Sequence, residues 1–349
     1  MHRFPYKWTL KDAVFTKDKG TVFSCFACGG GSSMGYKLAG FDVIGCNEID
    51  PKMMAAYKAN LNPKYAYLEP IQTFKLRDDL PDELYHLDIL DGSPPCSNFS
   101  MAGNREKDWG KEKKFREGQV NQVLDTLFFD FIDLAKKLQP KVVIAENVKG
   151  LLLGEAISYV REIYKQLDEA GYYCQHWLLD ASKMGVPQRR ERVFFIALRK
   201  DLAEPFLYQA DMFTILPKLK LEFNEKQIIF TDIWTGKFGY SATELSYKYW
   251  SDTIPGNNFS EAANGSWFNH CRLAENKVIP TLTTETAKKY HLPNNPELID
   301  DETIILASSF PEDYQFVKNT VSYITGMSVP PVMMAQIASE VYNQWLKYI

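Results

Sequence analysis

The sequence predicts an α/β fold: a doubly wound, mainly parallel sheet with a second, smaller and β-rich lobe. Residues 20–199 alternate short apolar runs with amphipathic segments, the pattern of strands and helices that follow one another in a parallel sheet. Residues 200–284 are dense in aromatic and turn residues and show no long helical period. A helical pattern returns within residues 285–349. These changes of pattern divide the chain into three parts.

The alternation begins with a strand at 21–27, a glycine-rich turn and a helix at 34–39. A second strand at 42–46 is followed by a helix that starts at Pro51, a position where the missing N–H would be unpaired in any case. The apolar run 87–91 is the third strand. The later predictions rest on apolar residues at helical spacing or on short apolar runs. They are helices at 51–60, 123–138, 156–170 and 332–347 and strands at 142–145, 172–179 and 193–198.

The composition is that of a globular chain, with 349 residues, 45% hydrophobic and 24% charged. No apolar stretch approaches the roughly 20 residues of a membrane span, so no membrane partner is predicted. The N-terminus lacks the apolar segment of a signal peptide and the six cysteines are scattered, which predicts reduced thiols in a cytoplasmic protein. Cys25 and Cys28 have C-x-x-C spacing, but no second pair follows, so no metal site is predicted.

Pro94, Pro95 and Cys96 directly follow the third apolar run. The prolines fix φ and donate no N–H, so we expect the chain to leave the strand on an extended path. Cys96 then lies at the carboxyl end of a strand, where open α/β sheets bind ligands. A thiol there is either a nucleophile or a small buried residue, and Cys96 alone does not decide between the two.

The glycine-rich turn 29–35 and an acidic residue about 20 positions later suit a cofactor that contains adenosine. The acid is Glu48, whose carboxylate could accept hydrogen bonds from ribose hydroxyls. NAD is one candidate, but the turn does not fit G-x-G-x-x-G, because Met34 takes the third glycine position. S-adenosyl-L-methionine has no pyrophosphate and is compatible with this turn.

Three more segments lie at the ends of predicted elements. Glu146 comes at the end of the strand 142–145. Residues 188–192, Gln-Arg-Arg-Glu-Arg, precede the strand 193–198, and residues 326–331, Gly-Met-Ser-Val-Pro-Pro, precede the last helix. Taken singly, Glu146 could be a helix cap and the arginine run a surface cluster of ion pairs.

In this order, the five segments resemble the motifs of the DNA (cytosine-5) methyltransferases of the bacterial or phage restriction–modification type. The resemblance runs from about residue 22 to about residue 337, with one unmatched stretch in the middle. It implies a Rossmann-like catalytic domain that uses S-adenosylmethionine at 20–199 and a target-recognition lobe at 200–284. It also implies that the segment 285–349 returns to the catalytic domain.

The resemblance implies that Cys96 is the nucleophile, that Glu146 meets N3 and the exocyclic amine of the target, and that Arg190 holds its O2. Cytosine C5 is a poor nucleophile, but a thiolate that adds at C6 makes an enamine whose C5 can attack a sulfonium methyl group. The target must leave the duplex to reach Cys96, so base flipping is implied. The base that removes the C5 proton is not assigned.

The resemblance also assigns residues to the cofactor and to DNA, with two departures from the family pattern. Cys28 stands where a glycine is common, and Met327 replaces a common asparagine. The implied cofactor residues are Phe26, Gly30, Gly31, Ser33, Glu48, Ile49, Glu69, Pro70, Pro95, Leu127 and Ser328. The implied DNA-binding residues are Ser97, Ser100, Gln188 and Arg192, of which Arg192 could instead support Arg190.

The predicted partner is double-stranded DNA. We expect the enzyme to be a monomer, and the resemblance implies a possible companion restriction endonuclease on a separate chain. The net charge of −4 argues mildly against nucleic acid, but affinity depends on local patches. The stretch after Cys96 is basic and could close over DNA, with Arg105, Lys107, Lys111, Lys113, Lys114 and Arg116. Candidates for base reading in the second lobe are Lys237, Lys248, Asn257, Asn258, Asn269 and Arg272.

Three other hypotheses stay open. A tRNA cytosine-5 methyltransferase would have the same fold, but such relatives typically carry a threonine where this chain has Ser100. An NAD-linked oxidoreductase does not fit the glycine turn. A catalytically impaired DNA-binding relative is disfavoured by the presence of Cys96, Glu146 and Arg190, although the departures at Cys28 and Met327 keep it open.

Overall fold

A computed structural model of the protein describes residues 2–95, 112–113, 122–123, 126–154, 156–211 and 214–349. The strands are β1 (Thr21–Cys25), β2 (Asp42–Glu48), β3 (Tyr65–Leu68), β4 (Ile89–Gly92), β5 (Glu112–Lys113), β6 (Gln122–Val123), β7 (Val142–Val148), β8 (Tyr172–Asp180), β9 (Glu191–Arg199), β10 (Leu207–Gln209), β11 (Ile215–Pro217), β12 (Cys271–Arg272) and β13 (Tyr290–His291). The α-helices are α1 (Gly31–Leu38), α2 (Pro51–Leu61), α3 (Ile71–Phe74), α4 (Leu127–Leu138), α5 (Ala156–Glu169), α6 (Phe230–Ile233), α7 (Glu244–Asp252), α8 (Asp301–Ala307), α9 (Val321–Met327) and α10 (Pro331–Gln344).

In the part of the chain that the structure describes, seven strands form one sheet in the order β3-β2-β1-β4-β7-β9-β8. The first five are parallel, and β9 runs antiparallel to both of its neighbours. The predicted doubly wound, mainly parallel α/β fold is therefore confirmed. Cys25 lies beside Asn47 and Gly92 in register, and Gly92 lies beside Ala145. The carboxyl ends of β1 and β4 are thus level with Ala145, and β7 continues beyond them to Val148. The segments that follow these parallel strands lie at one edge of the sheet.

Alternate residues of the central strands belong to two different hydrophobic clusters, because successive side chains of a strand point to opposite faces of the sheet. Phe23 and Leu90 belong to the cluster that includes α4 and α5. Val22 and Ile89 belong to the cluster that includes residues of α1 and α10. Helices therefore cover both faces of the sheet, as a doubly wound fold requires.

The last helix, α10, packs closely against α1. A Cβ added at Gly35 of α1 would lie 2.4 Å from the carbonyl oxygen of Pro331, so the approach depends on a residue without a side chain. Met333, Met334 and Ile337 of α10 are completely buried. This contact brings the C-terminal segment onto the sheet, whereas the boundaries at 199/200 and 284/285 stay predictions.

A third hydrophobic cluster lies between residues 228 and 307. It joins Phe230 and Leu282 to Ile299, so residues on both sides of position 284 share one core. None of the helices that the structure describes combines the length and the apolar character that a membrane span needs.

Regular strands are sparse in the described residues of 200–284, where β10 and β11 form a short hairpin and β12 has two residues. The composition predicts more strand than this. The aromatic residues pack onto helices and turns instead, as where the rings of Tyr249 in α7 and Trp267 lie 5.3 Å apart.

Candidate active site

The candidate active site lies at the edge where β1, β2, β4 and β7 end, and it contains two adjoining cavities. The Glu48 cavity has a volume of about 110 Å³. It is lined among others by Glu48, Ile49, Met53, Glu69, Ile71 and Pro95. The Asp91 cavity is lined among others by Ala27, Gly31, Ser32, Asp91, Ser328 and Val329. Both are also lined by Phe26, Cys28, Ser93 and Met327.

The Glu48 side chain is held by three backbone N–H groups. Its Oε2 accepts from Cys28 N–H at 2.7 Å, and its Oε1 accepts from the N–H groups of Ile49 and Asp50 at 2.8 Å each. Burial raises the pKa of Glu48, while these hydrogen bonds oppose that rise. The carboxyl group is therefore fixed in the wall of the cavity, with acceptor capacity left for a ligand hydroxyl.

The C-terminal segment closes over the glycine turn. A Cβ at Gly31 would lie 2.2 Å from the carbonyl oxygen of Val329, so this approach needs glycine. Ser328 Oγ donates to Cys28 Sγ at 3.7 Å. Burial raises the pKa of the Cys28 thiol to about 12, so Cys28 is a neutral wall residue rather than a second nucleophile. The departure at Cys28 is thus accommodated by its contacts, and Met327 lies at the mouth, 41% exposed.

The predicted cofactor residues divide into those that line a cavity and those that do not. Ser33 is buried, and its Oγ accepts from the hydroxyl of Tyr57 at 2.8 Å. Leu127 is buried at the start of α4 in the core. Lining the cavities are Phe26, Gly31, Glu48, Ile49, Glu69, Pro95 and Ser328. Among the described residues, Gly30, Ser33, Pro70 and Leu127 line neither cavity.

Sequence reasoning missed several lining residues, chiefly Asp91, Met53 and Ile71. Met53 and Ile71 lie on α2 and α3, and no local pattern distinguishes them from core residues. A signal for Asp91 was present, because a carboxylate within the apolar run 87–91 is buried in the sheet and needs a partner.

Glu146 and Arg192 form a largely buried ion pair. Arg192 Nε lies 2.9 Å from Glu146 Oε1, and the two side chains are 15% and 11% exposed. The pairing of β7 with β9 explains the contact. Glu146 lies opposite Phe194, so Arg192, two residues from Phe194, is its diagonal neighbour on the same face.

Arg190 is bound elsewhere. Its guanidinium donates to the carbonyl oxygens of Leu282 at 3.1 Å and Gly326 at 3.0 Å. Burial, with the charge of Arg192 nearby, lowers the pKa of Arg190 to about 9. Arg190 thereby joins the sheet to two later segments. Its predicted contact with the base stays a prediction, but the contacts of the described residues favour Arg192 for that position.

Two side-chain amides connect segments around the site. Asn147 Nδ2 donates to the carbonyl oxygen of Pro94 at 3.1 Å, which ties the end of β7 to the segment that precedes Cys96. Gln188 is completely buried; its Nε2 donates to Ala307 O at 3.0 Å and its Oε1 accepts from Leu282 N–H at 3.2 Å. Gln188 is thus a structural link, and the DNA contact predicted for it has no support in this geometry.

The predicted nucleophile and its neighbours lie outside the described residues. These are Cys96, Ser97 and Ser100 and, for their side chains, the basic residues Arg105, Lys107, Lys111, Lys113, Lys114 and Arg116.

The candidate base readers of the second lobe differ in their surroundings. Arg272 donates to the carbonyl oxygens of Pro293 at 2.8 Å and Thr253 at 3.0 Å, and its guanidinium lies 4.0 Å from the ring centre of Trp250. These contacts make Arg272 a structural link within the lobe. Lys237 forms an ion pair with Glu302. The side chains of Lys248, Asn257 and Asn269 are exposed and available to a ligand. Asn258 is also exposed, but its Oδ1 accepts a hydrogen bond from the Ser260 N–H group.

These features define an α/β protein of Rossmann-like fold with a ligand site at the carboxyl edge of its sheet. The C-5 cytosine-specific DNA methylase family model matches residues 20–343, and the chain belongs to that family.

Three bacterial methyltransferases are among the sequence relatives. Type II methyltransferase M.FnuDI of Fusobacterium nucleatum is 35% identical over 181 residues, which are 52% of this chain and 47% of that protein. M.NgoPII of Neisseria gonorrhoeae is 35% identical over 188 residues, 54% of this chain and 50% of that protein. M1.HphI of Haemophilus parahaemolyticus is 28% identical over 333 residues, 92% of this chain and 86% of that protein. The chain thus spans about half the length of the first two relatives.

Solved structures support the fold. A DNA modification methyltransferase encoded within an E. coli prophage has a TM-score of 0.64 and 19% identity, covering 93% of this chain and 99% of that one. DNMT2 of Spodoptera frugiperda has a TM-score of 0.62 and 16% identity, covering 93% and 99%.

Proposed function

We propose that this protein transfers a methyl group from S-adenosylmethionine to C5 of a flipped-out cytosine in a specific sequence of double-stranded DNA. The transfer proceeds through a covalent bond between Cys96 Sγ and C6. One observation carries the proposal: Pro95, next to Cys96, lines the Glu48 cavity, and the Asn147–Pro94 hydrogen bond holds this segment beside the strand that carries Glu146. The segment that leads into Cys96, the cofactor cavity and the Glu146–Arg192 pair therefore lie at one edge of the sheet.

The residues of the two cavities fit S-adenosylmethionine. The apolar side chains of Phe26, Ile49 and Ile71 suit adenine, and the fixed carboxyl group of Glu48 suits the ribose hydroxyls. The Asp91 cavity has a volume of about 10 Å³, and its lining includes Ser32, Asp91 and Ser328, polar residues that suit the amino-acid end. When bound, S-adenosylmethionine supplies a methyl group on a sulfonium, and S-adenosylhomocysteine is the product.

The chemistry of the chain's own residues follows from their types and positions. The Cys96 thiolate adds to C6, and the electron pair of the C5–C6 double bond moves onto the ring toward C5 and N3. Glu146 accepts from the exocyclic amine and supplies a hydrogen bond or proton at N3 as charge develops. Arg192, paired with Glu146 at 2.9 Å, can donate to O2 of the same base.

The second half of the reaction restores the ring. Transfer of the methyl group to C5 would break its bond to sulfur and leave S-adenosylhomocysteine. A base then removes the C5 proton, the electrons of that C–H bond re-form the C5–C6 double bond, and Glu146 takes back the proton that it supplied at N3. The Sγ–C6 bond breaks in the same step and Cys96 leaves as the thiolate. No described residue is assigned as that base.

DNA is favoured over tRNA by the family description and by the names of the curated relatives. Incubation of the full chain with radiolabelled S-adenosylmethionine and either duplex DNA or tRNA tests this choice. We expect label in DNA, recovered as 5-methylcytosine after nuclease digestion, with Cys96→Ala inactive and Cys174→Ala, which alters a thiol in the core, active. Label in tRNA alone, or in no nucleic acid, would contradict the proposal; bisulfite sequencing of methylated DNA then gives the target sequence.

The cellular setting is part of the same proposal. The type II names of the relatives support a companion restriction endonuclease on a separate chain, and their organisms support action on DNA in the bacterial cytoplasm. We expect the enzyme to act as a monomer.

A further inference from the structure

Asp91 is a buried acid for which the proposed reaction has no use. It lies on β4, is 2% exposed and lines the Asp91 cavity. Ser24, opposite it on β1, donates to Oδ2, and the hydroxyl of Tyr36 on α1 donates to Oδ1 at 3.1 Å. The carboxyl group is thus held in place by two hydroxyls, with acceptor capacity left toward the cavity.

No lysine, arginine or histidine in the described part of the chain forms an ion pair with Asp91 or favours its charged form. The titratable groups near it are Cys25 on β1, Tyr36 on α1, Tyr57 on α2 and Glu146 on β7. All of these are neutral or negative. Burial and, to a smaller extent, Glu146 raise the pKa of Asp91 to about 7, against the effect of the two hydroxyls. A buried carboxyl group without a cation is costly unless a ligand supplies the positive charge.

We propose that Asp91 binds the α-ammonium group of S-adenosylmethionine in the Asp91 cavity. This inference rests on the proposed function. With adenosine in the Glu48 cavity, the amino-acid end points toward the adjoining Asp91 cavity at Gly31 and Ser328, where Asp91 is the acid. The ammonium group, unlike the sulfonium, has N–H donors that a carboxylate can accept.

Three ligands distinguish the contribution of the ammonium group from that of the sulfonium: S-adenosylmethionine carries both groups. S-adenosylhomocysteine keeps the ammonium group and lacks the sulfonium charge, whereas methylthioadenosine lacks the whole amino-acid end. Titration calorimetry on the full chain compares wild type, Asp91→Asn and the control Asp88→Asn. Asp88 lies just before the opposite end of β4, where it pairs with Lys141 at 2.9 Å.

We expect Asp91→Asn to weaken S-adenosylmethionine and S-adenosylhomocysteine alike, by roughly tenfold or more, as loss of a charge-assisted hydrogen bond would. Methylthioadenosine should bind wild type and Asp91→Asn equally, which also shows that the variant is folded. Asp88→Asn should bind all three ligands as wild type does. An unchanged affinity of Asp91→Asn, or a loss confined to S-adenosylmethionine, would overturn the inference and leave the proposed function intact.

A second measurement needs no variant. Between pH 5.5 and 7.5, ionisation of Asp91 should raise the affinity of the wild type for S-adenosylhomocysteine by roughly tenfold, with no such rise for methylthioadenosine. Glu48 faces the ribose in both ligands, so the difference between them isolates the amino-acid end. Equal pH profiles would overturn the inference. If wild type bound none of the three ligands, the proposed function and this inference would both fail.

Discussion

At the scale of single residues, two arginines that stand two positions apart in the sequence have different partners in the structure. The antiparallel pairing of β7 and β9 brings Arg192 to Glu146. Arg190 precedes β9 and reaches the carbonyl oxygens of Leu282 and Gly326 instead. Spacing alone cannot show this difference, because it depends on the direction and register of a strand pair.

Substitutions of the two arginines should therefore have different effects, one on catalysis and the other on stability. Arg192→Gln should lower kcat by roughly 10²-fold, the usual loss for one donor at a developing charge, with an unchanged Kd for S-adenosylmethionine. Arg190→Gln should lower the unfolding temperature by several degrees, since the buried carbonyl oxygen of Leu282 and the partly buried one of Gly326 lose their donor. Steady-state kinetics, calorimetric binding and thermal unfolding of both variants provide the comparison. A fully stable Arg190→Gln without methyl transfer, beside an active Arg192→Gln, would reverse the assignment.

At the scale of elements, local signals identify the strands that build the site. β1, β2, β4 and β7 are short apolar runs, and the glycine turn and Glu48 follow from spacing along the chain. β3 escapes prediction because Tyr65–Leu68 is a partly exposed edge strand without alternation. The antiparallel direction of β9 also escapes, since a buried strand has the same apolar run in either direction. Asp91 is a further feature that the sequence did not predict. Its role depends on hydrogen bonds from Ser24 and Tyr36, which only the fold brings close to it.

The second lobe gives a prediction about target choice. Exchange of residues 228–307 for those of a relative with another target should change the methylated sequence, because the whole cluster around Phe230 and Ile299 moves as one unit. Exchange of 200–284 alone separates Leu282 from Ile299 and should give less folded protein. Methylation sequencing and thermal unfolding of both chimeras test this. An active 228–307 chimera that keeps the original target would place sequence reading elsewhere.

At the scale of the whole molecule, the fold joins the sheet, the glycine turn and the C-terminal segment at one edge. The sheet supplies Glu48, Asp91 and Glu146, and the C-terminal segment supplies Ser328 and closes the glycine turn. The net charge of −4 gives no general attraction for DNA, so binding must depend on a local basic surface. The basic stretch after Cys96 lies outside the described residues and keeps that role as a prediction from sequence.

The central claim is that Cys96 bonds covalently to the target cytosine. Duplex DNA with 5-fluorocytosine at the methylated position tests it, because fluorine replaces the C5 proton whose removal would break the Sγ–C6 bond. With S-adenosylmethionine present, we predict a complex that survives denaturation and whose digest carries the nucleotide on Cys96 by peptide mass spectrometry. Cys96→Ala should give no such complex, and Cys174→Ala should give it in full. A covalent complex on Cys28, or one that persists in Cys96→Ala, would contradict the account.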